Sequence, residues 1–426
     1  MDYVKLSPFD AASILIVLAA ALGYLNFRFV KLPASVGMTL MGAVASLAIV
    51  GLDHLLPGSH LSGVVSAFLD NVDFHTTLMN GMLSFLLFAG ALHVDWAHFR
   101  EGRWPILVLS TVGVVLSTAI VGFGFLMTGK LFGVDIPLPW CLVFGALISP
   151  TDPVAVLAIL KRTTVPPTLQ ATIAGESLFN DGVGVVVFGI ALAAAAGGQH
   201  LSLSDAGLAF VMEAGGGVLL GLAIGWLGYW AMRSIDDYNV EVMITLAVVM
   251  GGYSLGQALH ISGPVAMAVA GLIIGNAAVA EAMSDVTRDY VLKFWSLIDE
   301  VLNAILFLLI GLEVLAITTV PLLLVIGLVS IPVVLVARVG SVALPLIVLK
   351  PFTSLGRLAM PTLVWGGLRG GISVALALSL PASGARTVIL AATYCVVMFA
   401  VIVQGATIGG LIRRLTGQTV ATPPAH

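Results

Sequence analysis

The sequence predicts an all-α polytopic membrane protein that crosses the bilayer about 13 times. Three observations carry that prediction. The 426 residues are 59% hydrophobic and only 9% charged, with a mean hydropathy of +1.10, far from the balance of water-facing domains. Apolar blocks of about 18 residues or more, each long enough to cross the hydrocarbon core, recur along the whole length. The loops between those blocks alternate in basic charge. The net charge of −4 and pI near 6.0 give no sign of nucleic-acid binding.

The blocks and their polar breaks define the spans in order. The first, about 11–27, follows a short start with one lysine, Lys5, and no small-residue cleavage site closes it; it is expected as an uncleaved span rather than a signal peptide. Arg28 and Lys31 separate it from the second, 33–51. The third covers 74–93, and the fourth, 104–127, follows Arg100 and Arg103. Lys130 precedes the fifth, 138–160; Lys161 and Arg162 separate that from the sixth, 168–196. The seventh, 207–232, ends at Arg233. Spans 240–259 and 261–279 are parted only by the turn at His260-Ile261-Ser262. The tenth, 290–316, begins amphipathically, so its first turns are expected partly in the interface. The last three cover 320–349, 357–380 and 386–412.

One set of loops carries Arg28, Lys31, Arg100, Arg103, Lys161, Arg162, Arg233, Arg288, Lys293, Lys350, Arg357, Arg413 and Arg414, and the other only Lys5, Lys130 and Arg386. The positive-inside rule puts the first set in the cytoplasm, hence the N-terminus outside and the C-terminus inside a cell (inner) membrane. Cys141 and Cys395 both fall inside apolar blocks and read as small buried hydrophobes, with no disulfide framework and no metal cluster.

An odd span count has a consequence. If six spans (about 11–196) form one repeat and the seventh (about 207–232) is a linker, the second six (about 240–412) run inverted, a common plan for secondary transporters. That plan requires matching irregularities in spans 5 and 12. Span 5 is interrupted by Ser149-Pro150-Thr151-Asp152-Pro153 and span 12 by Gly366-Gly367-Leu368-Arg369-Gly370-Gly371. Each break falls mid-span, where unwound backbone is tolerated only if it is buried or lines a cavity.

Ionisable groups deep in the membrane are few, and they coincide in depth: Asp152, Glu176, Asp181, Arg369 and Arg338. Each costs roughly 2.5–3.5 kcal/mol at a helix centre on insertion scales. Mutual pairing, protonation or a bound cation must offset this. In span 6, helical spacing puts Ser177 below Asp181 and Glu176 below Asn180, two polar columns on one face. In span 5, Thr151 and Asp152 can cap the second half-helix, with Pro153 in its first turn. Oxygen donors from Thr151, Asp152, Ser177 and Asp181 suit a small alkali cation, and a carboxylate removed from water favours its protonated form. A site that takes either a proton or a sodium ion is the minimum machinery for exchange.

Several of these residues also have a blander role open to them. Asp152 can serve only as a helix cap, and Glu176 with Arg369 can be a structural ion pair. Arg338 is expected to bond carbonyls inside the bundle. Asp299, Glu300, Asn303 and Glu313 are expected towards the ends of span 10, lining a funnel or solvated at the interface. The histidines, among them His75, His93 and His98, lie near span edges and are not expected as ligands. Asp181, mid-membrane beside an asparagine and a glycine, resists a purely structural reading.

Thr151-Asp152-Pro153, Glu176 through Gly182, and Gly367-Leu368-Arg369-Gly370-Gly371 resemble the signature motifs of the monovalent cation/proton antiporter-1 family, closest to its prokaryotic NhaP-like sodium/proton antiporters. The resemblance covers essentially the whole chain. It implies an NhaA-like antiporter fold with broken crossed helices, a homodimer in membrane lipid, and a six-helix core that moves as a rigid unit. It implies that Asp181 alternately binds ion and proton, that Asp152, Ser177 and the main chain at Thr151 help coordinate, and that Asn180 braces the unwound peptide. By the same likeness Glu176 is tied to Arg369. Electrogenic relatives carry two aspartates where this chain has Asn180-Asp181, so the resemblance implies electroneutral exchange of sodium or lithium for a proton, by alternating access and in the service of pH homeostasis. The chain ends soon after Arg414, so no regulatory tail partner is expected beyond a short cytoplasmic tail, 413–426. No cofactor and no enzyme activity are expected. Potassium/proton exchange is the alternative, because oxygen ligands alone do not set a cation radius. An intramembrane aspartyl protease would also need two membrane aspartates, but the Gly-x-Gly-Asp context typical of such enzymes is missing at Asp152 and Asp181.

Overall fold

A chain this apolar must satisfy its backbone polar groups within each segment, and helices do so. The computed structural model describes residues 8–55, 63, 77–160, 165–197, 203–313, 320–350 and 355–416. Lys5, His75, Lys161, Arg162, the expected span ends at 74 and 316, and the tail from 417 onward lie outside the described residues. The helices are α1 (Pro8–Leu25), α2 (Ala34–Leu55), α3 (Leu83–Leu92), α4 (Trp96–Leu131), α5 (Leu138–Leu147), α6 (Val154–Leu160), α7 (Pro167–Gly197) and α8 (Leu203–Arg233). They continue as α9 (Tyr238–Ala258), α10 (Gly263–Glu281), α11 (Asp285–Leu312), α12 (Pro321–Leu349), α13 (Ala359–Gly366), α14 (Gly371–Leu378) and α15 (Gly384–Thr416). Among the described residues ten helices are long and apolar enough to cross a membrane.

Caps explain where several helices begin. Asp95 Oδ1 accepts from the amides of Ala97 (2.8 Å) and His98 (3.1 Å), so α4 starts well before the expected residue 104. His260 turns the chain with φ of 54°, and the Ser262 hydroxyl accepts from Val265 N at 3.3 Å to start α10. The Ser284 hydroxyl caps α11 through Thr287 N at 3.4 Å. That start at Asp285 corrects the expected one at 290, and the consequence is positional: Asp299 and Asn303 fall in the middle of the helix rather than towards its end.

The helices pack as two bundles. One comprises α4, the interrupted pair α5 and α6, α7, α12, the interrupted pair α13 and α14, and α15. The other comprises α2, α3, α8, α9, α10 and α11, with α1 against its outside. Backbones approach closely where glycines allow it. A Cβ on Gly145 of α5 would strike the Thr118 carbonyl of α4, and one on Gly122 would stand 3.2 Å from the Cys141 carbonyl. Between the bundles, a Cβ on Gly182 of α7 would lie 2.7 Å from Val265 Cγ2 of α10, and Tyr394 of α15 donates to Glu313 at the end of α11 at 3.2 Å. The half-helix α5 is therefore positioned by direct backbone contact with α4. Gly145→Val should force the two apart and lower stability by about 1–3 kcal/mol, read as a reduced melting temperature in detergent; unchanged melting would contradict the close approach.

Candidate functional site

The two interruptions meet. Pro150 and Pro153 lack the amides needed to continue α5, so the chain runs extended until Asp152 Oδ1 accepts from Val154 N (2.9 Å) and α6 begins. The glycines at 366–371 let α13 end and α14 restart. Where the extended segments cross, Asp152 N donates to Leu368 O at 2.9 Å in an antiparallel bridge. Each break leaves carbonyls at the C-terminal end of a half-helix without intrahelical donors, carrying the negative end of its dipole. An arginine answers each. Arg369 Nη1 donates to Ser149 O (2.5 Å) and Pro150 O (3.1 Å) behind α5. Arg338, from the middle of α12, donates to Leu363 O of α13 from Nε (3.1 Å) and Nη2 (2.9 Å).

Arg338 also does what the sequence assigns to Arg369. Its Nη1 lies 2.6 Å from Glu176 Oε1 and its Nη2 3.1 Å from Oε2, a forked pair with both side chains buried. The expected Glu176–Arg369 tie is corrected: Arg369 sits on the extended segment itself, beside carbonyls that the prolines leave without donors, while α12 carries Arg338 alongside Glu176. Both arginines share one depth in the sequence, so depth alone did not distinguish them. The bond from Arg338 to a carbonyl inside the bundle is as expected; its pairing with Glu176 is what sequence reasoning missed, and its place among the five midplane charges was the available signal.

The polar face of α7 holds the first break. The Ser177 hydroxyl donates to Thr151 O, Asn180 Nδ2 donates to Thr151 Oγ1 at 2.7 Å, and Asn180 Oδ1 accepts from Thr151 N at 3.3 Å. Asp152 uses one carboxylate oxygen as a cap; the other faces Gly370, where a Cβ would come within 2.7 Å of it. Asp181 is only 9% exposed, and its buried Oδ1 has no hydrogen-bond partner. Its acidic neighbours are Asp152 and Glu176. Among the described residues neither Asp152 nor Asp181 is ion-paired, whereas Glu176 is. Asp299, from the other bundle, is the further acidic group whose charge acts on Asp152, and Asn303 Nδ2 donates to it at 3.0 Å.

Thus Thr151, Asp152, Ser177, Asn180 and Asp181 come together at the crossing, with Glu176 and Arg369 as its supports on either side. Two neighbouring carboxylates without a basic partner, removed from water, repel unless a proton or a hard cation offsets one of them. His93 is placed differently: Nδ1 lies 2.8 Å from Ala89 O and Nε2 3.0 Å from Ser296 Oγ. A double-mutant cycle tests the corrected pairing. Glu176→Gln with Arg338→Ala should show coupling of at least about 1 kcal/mol in melting, and Glu176→Gln with Arg369→Ala should be closer to additive; the reverse order would restore the Arg369 pairing.

Comparison with known proteins adds four findings. The family model described as sodium/hydrogen exchanger, transmembrane, matches residues 15–414. The Na(+)/H(+) antiporter NhaP of Pseudomonas aeruginosa is 47% identical over 411 residues, covering 95% of this chain and 96% of that one. The Na(+)/H(+) antiporter NhaH of Halobacillus dabanensis is 33% identical over 410 residues, covering 94% and 97%. Among solved structures, the sodium proton antiporter MjNhaP1 from Methanocaldococcus jannaschii shares the fold, with a TM-score of 0.75 over 96% of this chain and 99% of that one, at 21% identity.

Proposed function

The chain belongs to the sodium/hydrogen exchanger family, in the monovalent cation/proton antiporter-1 group, and on that premise we propose that it exchanges sodium for protons across a cell membrane. The observation that carries the reading is Asp181: a buried carboxylate beside a second one, with no basic partner, at the crossing of two broken helices. A sodium ion held by Asp181, Asp152, the Ser177 hydroxyl and the Thr151 carbonyl would neutralise the site from one side, and a proton on Asp181 would neutralise it from the other. Each occupant excludes its competitor, which is the condition for coupled exchange. Lithium, smaller and equally hard, fits the same oxygen donors. Asn180 spends its side chain on Thr151 and adds no second titrating group, which supports one-for-one, electroneutral exchange.

Alternating access follows from the two bundles. The one carrying the crossing meets the other along contacts such as Gly182 with Val265, and rocking it would expose Asp181 to each side in turn. The first bundle draws on expected spans 4–6 and 11–13, the last three of each half, which supports the reading of 13 spans as two inverted six-helix repeats around α8. The basic loops support an outside N-terminus and a cytoplasmic C-terminus. Two copies would assemble through the bundle that does not carry the site. The relatives are named as transporters, and nothing comparable favours the protease reading.

The test uses purified protein in liposomes with an internal pH dye. Sodium and lithium should each evoke a pH change that an imposed membrane voltage does not alter, and Asp181→Asn should abolish it while melting stays close to the parent's. A response to potassium alone would replace the substrate, and a voltage-dependent one would replace the stoichiometry. Retained exchange in Asp181→Asn would remove the mechanism.

A further inference from the structure

We propose that Glu241 is a second proton-binding site, separate from Asp181, built into the other bundle where α9 begins. Glu241 is fully buried, at 0% exposure, and neither carboxylate oxygen has a hydrogen-bond partner. The amides that normally favour an acid in a helix's first turn are taken: Asp237 accepts from Asn239 N (2.9 Å) and Val240 N (3.1 Å), and Glu241 N donates to Asp237 O (2.9 Å). Thr287 of α11 is the neighbouring hydroxyl, and it donates to Ser284 O at 3.1 Å. Thr245, one turn along, donates to Val242 O (2.7 Å) and accepts from Trp295 Nε1 (3.0 Å).

The charged groups around it offer no compensation. Asp236 and Asp237, on its own segment, are of like sign. On α11, Arg288 pairs with Asp285 at 3.1 Å and Lys293 with Asp289 at 2.6 Å. On α8, Arg233 donates to Tyr229 at 3.1 Å, and Tyr229 donates to Glu281, the sole ionisable residue of α10, also at 3.1 Å. The segment α3 carries no ionisable side chain. An ionised carboxylate in this place would be buried, unpaired and beside two like charges, so the packed arrangement requires the protonated acid. Releasing the proton requires the first turn of α9 to draw in water, and α9 packs on α11. That helix carries Asp299 opposite Asp152, so the proton at Glu241 acts on the mouth of the exchange site through one continuous element.

The direct test does not depend on transport. In full-length Asp181→Asn protein, infrared difference spectra between acid and alkaline buffer should contain a protonated-carboxyl component that disappears in Asp181→Asn/Glu241→Gln. Identical spectra overturn the site. Thr287→Val leaves Glu241 in place and should shift the titration of that component measurably; no shift overturns its location. In liposomes, Glu241→Gln in the otherwise unaltered chain should displace or flatten the pH profile of exchange at saturating sodium, with apparent sodium affinity kept within about twofold. An unchanged profile overturns the coupling to exchange. Because the infrared arm reads proton occupancy in a chain with Asp181 removed, its failure is distinguishable from failure of the antiport reading.

Discussion

The rest of this structure depends on how two interrupted helices satisfy their carbonyls away from water. A regular helix closes its own hydrogen bonds; a broken one leaves acceptors at the C-terminal end of its first half, and hydrocarbon supplies no donor. Arg369 answers for Ser149 and Pro150, and Arg338 for Leu363. Both guanidiniums stand at the negative ends of half-helix dipoles, where a cation is favoured without needing a full counter-ion. The extended segments then close on each other through Asp152 N and Leu368 O, so the irregular backbone is fastened from both sides.

That arrangement decides the electrostatics of the site. Arg338 makes a forked pair with Glu176, while Arg369 gives Nη1 to the Ser149 and Pro150 carbonyls and keeps its buried Nη2 without a hydrogen-bond partner. Three midplane carboxylates thus meet two arginines, yet only one carboxylate is paired. Asp152 and Asp181 stay uncompensated, one half-used as a cap and the other with a free buried oxygen. An arginine on either would remove the uncompensated charge on which the proposed exchange depends. Holding Arg369 on the main chain leaves those two carboxylates without a basic partner, and the Asn180 and Ser177 bonds to Thr151 fix the geometry of the crossing.

The bundle opposite is more than a support. It brings Asp299 and Asn303 to the approach of Asp152 through the middle of α11, and it buries Glu241 without a partner. Its contacts with the site-bearing bundle include Gly182 against Val265 and Gly371 against Leu306, and hydrogen bonds from Tyr394 to Glu313 and from Trp96 N to Asn276.

The sequence by itself determined the class of molecule, the place of both breaks and the short roster of deep charges. Each of these is a local consequence of composition, proline and glycine in a solvent that cannot hydrogen-bond. It also put Ser177, Asn180 and Asp181 on one face of α7, because helical spacing is a property of the chain alone. Partner choice was not legible. Arg338 and Arg369 have the same depth and the same chemistry, and only the packing of α12 against α7 gives Glu176 to the first. Likewise Asp299 read as the end of a span until the Ser284 cap moved the start of α11 and left it mid-helix. Nothing in the sequence singles out Glu241, and it is α9 packed on α11 that makes it a buried, unpartnered acid. Depth and periodicity are written along the chain, whereas which buried charge meets which is set by how helices distant in sequence rotate against one another.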